Sequence, residues 1–230
     1  MTITLDASST PAGQTGNISF SHTAAGTVRG IVCTVAQSIG FTDEVTGITW
    51  GGVPMTRVGA LFKSSGETGA VYAYLLGVNV ATGLQNVVIS VDGTGSNKRC
   101  ALWSLNAAAN ASIVFANSAT INSDSVANPS VLLPLGGVTC WVNIVFISGQ
   151  DDPTGITPLA GWTGTGEDTL GALGVSGGHY RYNTISNVDV TAGWTQTAED
   201  AAAIAFGVNE SFGVGKTYRI NDVSSILDVT

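Results

Sequence analysis

Apolar runs of five to nine residues recur along the chain at short intervals, each cut off by Gly, Asn, Asp, Ser or Pro. That spacing suits short strands and excludes most helices, which need about ten residues or more of unbroken 3.6 periodicity. It predicts strands over Ile18 to His22, Val28 to Ala36, Gly47 to Trp50, Thr56 to Leu61, Ala70 to Leu76, Val87 to Val91 and Arg99 to Leu105. The second half supplies Val131 to Leu133, Val138 to Ile147, Gly161 to Gly164, His179 to Tyr182, Val188 to Thr191 and Ala201 to Val208. Val87, Ile89 and Val91 alternate with Val88 and Ser90, as a strand with one wetter face does. Val28 to Ala36 and Val138 to Ile147 carry apolar residues on both faces, which places them as central strands covered on both sides. The expected fold is all-β, an antiparallel sandwich.

The two halves echo one another. Ile31 to Val35 corresponds to Val138 to Val142, and Tyr72-Ala73-Tyr74 to Tyr180-Arg181-Tyr182, at offsets of about 107 residues. Asn86 to Ile89 matches Asn187 to Val190, and Cys100 to Trp103 matches Ala201 to Ile204. The strand order is thus expected twice, in halves of about 1–110 and 125–210, with Asn106 to Asn128 as the connection. Each half alone would leave an apolar face exposed, so both are expected to complete one sandwich domain over 1–210. Residues 211–230 follow the last strand, yet Phe212, Tyr218, Ile220, Ile226 and Leu227 make them as apolar as the core. This segment is expected to be covered, by docking on a neighbouring subunit as an added strand; the alternative is an extra strand on its own sandwich.

Charged residues make up 10% of the 230, against about 25% in an average soluble protein, and their place is taken by 30 Gly with many Thr, Ser and Asn. Neither a disordered chain nor a coiled coil has that composition. Eight Lys and Arg against sixteen Asp and Glu give a net charge of −8, which opposes nucleic acid as a partner. The start, Met1 to Asp6, lacks the basic stretch and apolar run of a secretory signal, so synthesis in a cytoplasm is expected. No run approaches ~18 unbroken apolar residues, so no membrane insertion is expected. Cys33, Cys100 and Cys140 sit among apolar residues, odd in number and unlike any metal knuckle in spacing; they read as buried thiols.

Ile18 to Thr23, Val28 to Ala36 and Gly47-Ile48-Thr49-Trp50-Gly51-Gly52-Val53-Pro54-Met55-Thr56-Arg57-Val58-Gly59 together resemble a jelly-roll-like β-sandwich module of bacteriophage virion proteins and bacterial surface proteins. The similarity continues through Val71 to Leu76, Asn86 to Val91 and Asp200 to Phe206. The resemblance implies a structural or adhesive role without a catalytic motif.

The residues themselves offer little chemistry. No nucleophile elbow, zinc-protease or phosphate-loop spacing occurs, and His22 and His179 read as edge or hydrogen-bonded histidines rather than bases. Acids cluster as Asp43-Glu44, Asp151-Asp152, Glu167-Asp168 and Glu199-Asp200. Asp151, Asp152, Glu167 and Asp168 are candidate calcium ligands if their loops converge, since calcium takes six to eight oxygens; the alternative is solvated turn acids. Trp162 and Trp194, each flanked by Gly and Thr, with Tyr180 and Tyr182, are candidates for a glycan-stacking platform; the alternative is core aromatics.

The expected function is a non-enzymatic subunit of a bacteriophage or phage-like particle: an external spike, fibre, decoration or tail-tip component located in the virion. Its partners would be other virion proteins, further copies of itself and host surface polysaccharide, with no cofactor. The competing expectation is a free carbohydrate-binding module or lectin-like adhesin.

Overall fold

A computed structural model describes residues 3–38, 42–63, 69–93, 97–135, 140–148, 156–164, 168–169, 175–183 and 189–212. Among them there is no helix. The strands are β1 (Thr4–Ser9), β2 (Ile18–Ala24), β3 (Val28–Ser38), β4 (Val45–Trp50), β5 (Val53–Pro54), β6 (Thr56–Lys63), β7 (Gly69–Leu76), β8 (Gly83–Val91) and β9 (Lys98–Asn106). The second half carries β10 (Ala111–Val126), β11 (Ser130–Leu133), β12 (Cys140–Ser148), β13 (Thr157–Pro158), β14 (Thr163–Gly164), β15 (Asp168–Thr169), β16 (Val175–Asn183), β17 (Val190–Thr195) and β18 (Glu199–Phe212).

All pairings are antiparallel. In the first half β1 pairs β9, β2 pairs β8, β3 pairs β7 and β4 pairs β5, a nested set, and β3 with β9 and β4 with β8 pair across it. Gly51 and Gly52 close the innermost hairpin, at φ of 54° and 84°, the left-handed values a two-residue turn between twisted strands demands. The resulting sheets run β1-β9-β3-β7-β6 and β2-β8-β4-β5. The second half runs β10-β18-β12-β16-β14, with β15 also beside β16, and β11-β17-β13. Matching each strand to the one nine places later makes the two orders coincide, except that β14 joins the sheet of β16.

The apolar side chains meet in three clusters, one of them shared by both halves. Ile31, Cys33 and Val35 of β3 point to Ile18, Ile48, Trp50 and Ile89 of the facing sheet, a core belonging to the first half alone. Val142, Ile144 and Phe146 of β12 meet Leu133, Val190 and Trp194 in a core of the second half alone. The opposite faces of the same strands, Val32 and Ala36 with Trp103 from one half and Trp141, Val145 and Ile147 with Ile204 from the other, form a third apolar layer. Both central strands are therefore buried on two sides, which is why their sequences do not alternate. Each half builds its own sandwich, and the two are joined back to back.

Polar contacts cross this joint. Lys63 at the end of β6, 2% exposed, pairs with Asp124 of β10, stands 3.7 Å from Asp200 of β18, and donates to the Ser123 carbonyl at 3.0 Å. The Leu5 amide donates to the Tyr182 hydroxyl at 2.8 Å, and the Ala108 amide to Glu210 Oε1 at 3.0 Å.

Three expectations change. Asn106 to Asn128 is no mere connection: sixteen of its residues form β10, whose alternation is broken by bulges at Phe115/Asn117 and Ser123/Val126. The final strand runs on to Phe212, paired with Ala111, so the first two residues of the expected docking segment, Ser211 and Phe212, belong to the sheet; Tyr218, Ile220, Ile226 and Leu227 lie outside the described residues. The Tyr-x-Tyr echo is out of phase. Tyr72 and Tyr74 point into the first sandwich, whereas Tyr180 packs in the shared layer, and a one-residue slip exchanges the faces of a strand.

Candidate functional site

Trp162 and Trp194 are not an exposed pair. Trp194 is wholly buried on β17, in phase with Val190 and Ala192; its ring stacks on Phe146 at 4.3 Å and its indole N–H donates to Gln196 Oε1 at 2.6 Å. Trp162 is 8% exposed, donates to the Thr191 carbonyl at 3.2 Å, and carries the Arg181 guanidinium 5.9 Å from its ring centroid. Flanking Gly and Thr mark turns but do not decide which way a ring points, and an indole in a small sandwich is drawn inward by its area. Tyr180 stacks on Trp141 at 5.9 Å, and only Tyr182, 38% exposed, shows much of its ring. These four aromatics therefore do not form a sugar platform.

Of the calcium candidates, Asp151, Asp152 and Glu167 lie outside the described residues, and Asp168 pairs through its backbone with Ser176. Among the described residues no three acid, His or Cys side chains gather as a metal cluster. The other acidic pairs serve the few cations. Asp43 holds Arg57 in a two-pronged pair at 2.6 and 3.0 Å, Glu44 holds the buried Lys98 at 2.7 Å, and Asp200 stands by Lys63.

Arg57 organises one surface recess among the described residues. Its Nε donates to the Tyr74 hydroxyl at 2.9 Å, another nitrogen donates to the Val45 carbonyl, and the rings of Tyr72 and Tyr74 lie 5.4 and 5.5 Å from its central carbon. Hydrogen bonding to Asp43 is the main force holding this guanidinium protonated. Burial pushes the Tyr72 phenol up to about 12 and raises Tyr74 as well, so both stay neutral donors. Beside this cluster an open groove of about 490 Å³ runs along Thr46, Thr49, Pro54, Met55, Tyr74 and Ser90. The segment Trp50 to Gly59 that carries the resemblance thus forms one wall of it.

A second polar constellation was not legible in the sequence. Ser9 and the His22 Nδ1 are 2.7 Å apart, His22 Nε2 and the Ser104 hydroxyl 3.1 Å, and Ser104 donates to Asp6 at 2.8 Å. Because the one proton of Ser104 goes to Asp6, Ser104 accepts from Nε2–H, which leaves Nδ1 to accept from Ser9. The wiring differs from a catalytic triad, in which the carboxylate orients the imidazole directly. Here Asp6 also accepts from the Ala25 and Gly26 amides, so the chain ties β1, β2 and β9 together at the sandwich edge. Burial holds the His22 pKa below its ordinary value, against the opposing pull of the Asp6 charge. His179, also buried, sits edge-on to Phe146 at 5.0 Å, and burial lowers its pKa to about 4.

The groove and the polar chain both belong to the first half of the chain. Comparison of the chain with models of protein families, with characterised proteins and with solved structures gives no match.

Proposed function

We propose that the chain is a non-enzymatic structural subunit of a bacteriophage or phage-like particle, an external spike, fibre, decoration or tail-tip component. The observation that carries this reading is the shared apolar layer. It fuses two sandwiches into one body, and burying both faces of the two central sheets favours rigidity over an enclosed ligand cavity. Other virion proteins and further copies of the chain would be its partners. Phe212, the last described residue of β18, is 60% exposed, and the segment that follows it in the sequence is the proposed attachment to a neighbouring subunit. A reconstruction of the particle that locates the chain on its exterior tests the reading, and particles containing no copy of it would overturn it. Deleting residues 213–230 should leave a folded protein that no longer joins its assembly.

One observation favours a second reading, a free carbohydrate-binding module. The groove beside Arg57 is lined by the hydroxyl residues Thr46, Thr49 and Ser90, a composition suited to the hydroxyls of a sugar. A monomer that binds neutral glycans with micromolar to millimolar Kd and associates with no particle would favour it over the first.

A further inference from the structure

Among the described residues Arg29 meets neither a carboxylate nor an aromatic ring, whereas Arg57, Lys63 and Lys98 each meet a carboxylate and Arg181 lies over Trp162. The Arg29 Nε, like that of Arg181, is buried without a hydrogen-bond partner among the described residues. Native proteins seldom leave such a donor unsatisfied, and a guanidinium does not escape by losing its proton.

Its position is built. The pairing of β3 with β9 shifts register between Val28 and Gly30, which makes Arg29 the extra residue of a bulge, a device that re-aims a side chain. The side chain lines a recess of about 260 Å³ where the two halves meet, walled by Gly77 to Val80 after β7 and by Ala111 and Ser112 at the start of β10. These walls are fixed to each other. The Ile113 amide donates to the Gly77 carbonyl at 3.0 Å, and a Cβ on Gly77 would overlap the Ile113 carbonyl oxygen, so this close approach tolerates only glycine.

We propose that this recess binds a sugar acid, with its carboxylate on Arg29. The guanidinium fork matches a carboxylate, and on a surface of net charge −8 an uncompensated arginine is a local exception that draws an anion. The volume exceeds what a carboxylate alone fills. Asn79 and Ser112 supply an amide and a hydroxyl for ring hydroxyls, while Val78 and Val80 supply an apolar side for the C–H face. The site lies at the junction of the halves, apart from the Arg57 groove, and does not depend on the chain belonging to a particle.

Calorimetric titration of the full chain with D-glucuronate, inorganic phosphate and D-glucose tests the assignment. Glucuronate should bind saturably with Kd of about 1 mM, glucose should not bind, and phosphate should bind at least tenfold more weakly. Arg29→Gln should weaken glucuronate binding at least tenfold with no fall in melting temperature, since no internal partner is lost. Val78→Trp, at a position 55% exposed, should block the recess without touching a core and serves as the second variant. Absence of saturable glucuronate binding, equal binding by a folded Arg29→Gln or Val78→Trp protein, or a preference for phosphate would overturn the proposal.

Discussion

The rings of Trp103 and Trp141, one from each half, meet with centroids 5.8 Å apart and planes inclined at 59°. Both are wholly buried in the layer that joins the sandwiches. Each such indole withdraws on the order of 200 Å² from water, worth about 5 kcal/mol at ~25 cal/mol per Å². Trp141→Ala should therefore lower unfolding free energy by about 3–5 kcal/mol in urea titrations. A loss below about 1 kcal/mol would show that the layer does not hold the halves together.

Asn143 occupies β12 two residues from Trp141, wholly buried, and neither its amide nitrogen nor its oxygen has a partner among the described residues. Leu has the same branching without the unmet hydrogen bonds. Asn143→Leu should raise stability by about 1–3 kcal/mol, read as a melting temperature higher by several degrees for a chain this long. A lower melting temperature would mean that the amide is satisfied, for instance by enclosed water.

The three thiols should be silent in the folded protein. Cys33, Cys100 and Cys140 are all buried. Burial raises the Cys33 pKa well above its ordinary value and pushes Cys100 and Cys140 to about 12. The thiolate is the reactive form, so labelling by a thiol reagent at pH 8 should proceed only at the rate of unfolding and accelerate with urea. Rapid labelling of any one of them would displace that residue from the core.

Acid should weaken the fold through His179. Its pKa falls from 6.5 to about 4 on folding, so above pH 6.5 the ring is neutral in both states and contributes no pH dependence. Between pH 6.5 and 4 the unfolded chain takes up a proton that the folded chain refuses, and stability drops by up to about 3 kcal/mol. His22 shifts in the same direction. His179→Gln should flatten the decline between pH 7 and 4.5 in urea midpoints measured in parallel; an unchanged slope would place the titration elsewhere.

How far the sequence disclosed this molecule depends on the kind of signal. Hydrophobic runs such as Val28 to Ala36 and Val138 to Ile147 announce central strands, because burial on two faces leaves mostly apolar residues to choose from. The long edge strand β10 hides, because Ala, Ser, Asn and Thr pack acceptably against the alanines of β18 and two bulges erase the period. Trp162 and Trp194 show the limit for site residues. Their neighbours describe backbone geometry, while the direction of each ring is set by strand phase and by what lies opposite. Asp6, Ser9, His22 and Ser104 are separated by up to 98 positions yet bonded in a row, and no local spacing encodes that.

The nested pairing of β1 with β9 has a consequence for the order in which the protein is made. Thr4 finds its partner in Asn106, so the first sandwich cannot close until the chain has left the ribosome through residue 106. Once it closes, the face bearing Val32, Leu75 and Trp103 remains open to water for as long as the second half is still being translated. Nascent chains thus pass through an interval in which a finished domain displays a sticky wall, and a neighbouring nascent copy carries the same wall. Slowing elongation after residue 106 should lengthen that interval and favour misassembled pairs, whereas the complete chain covers the wall with its own second half.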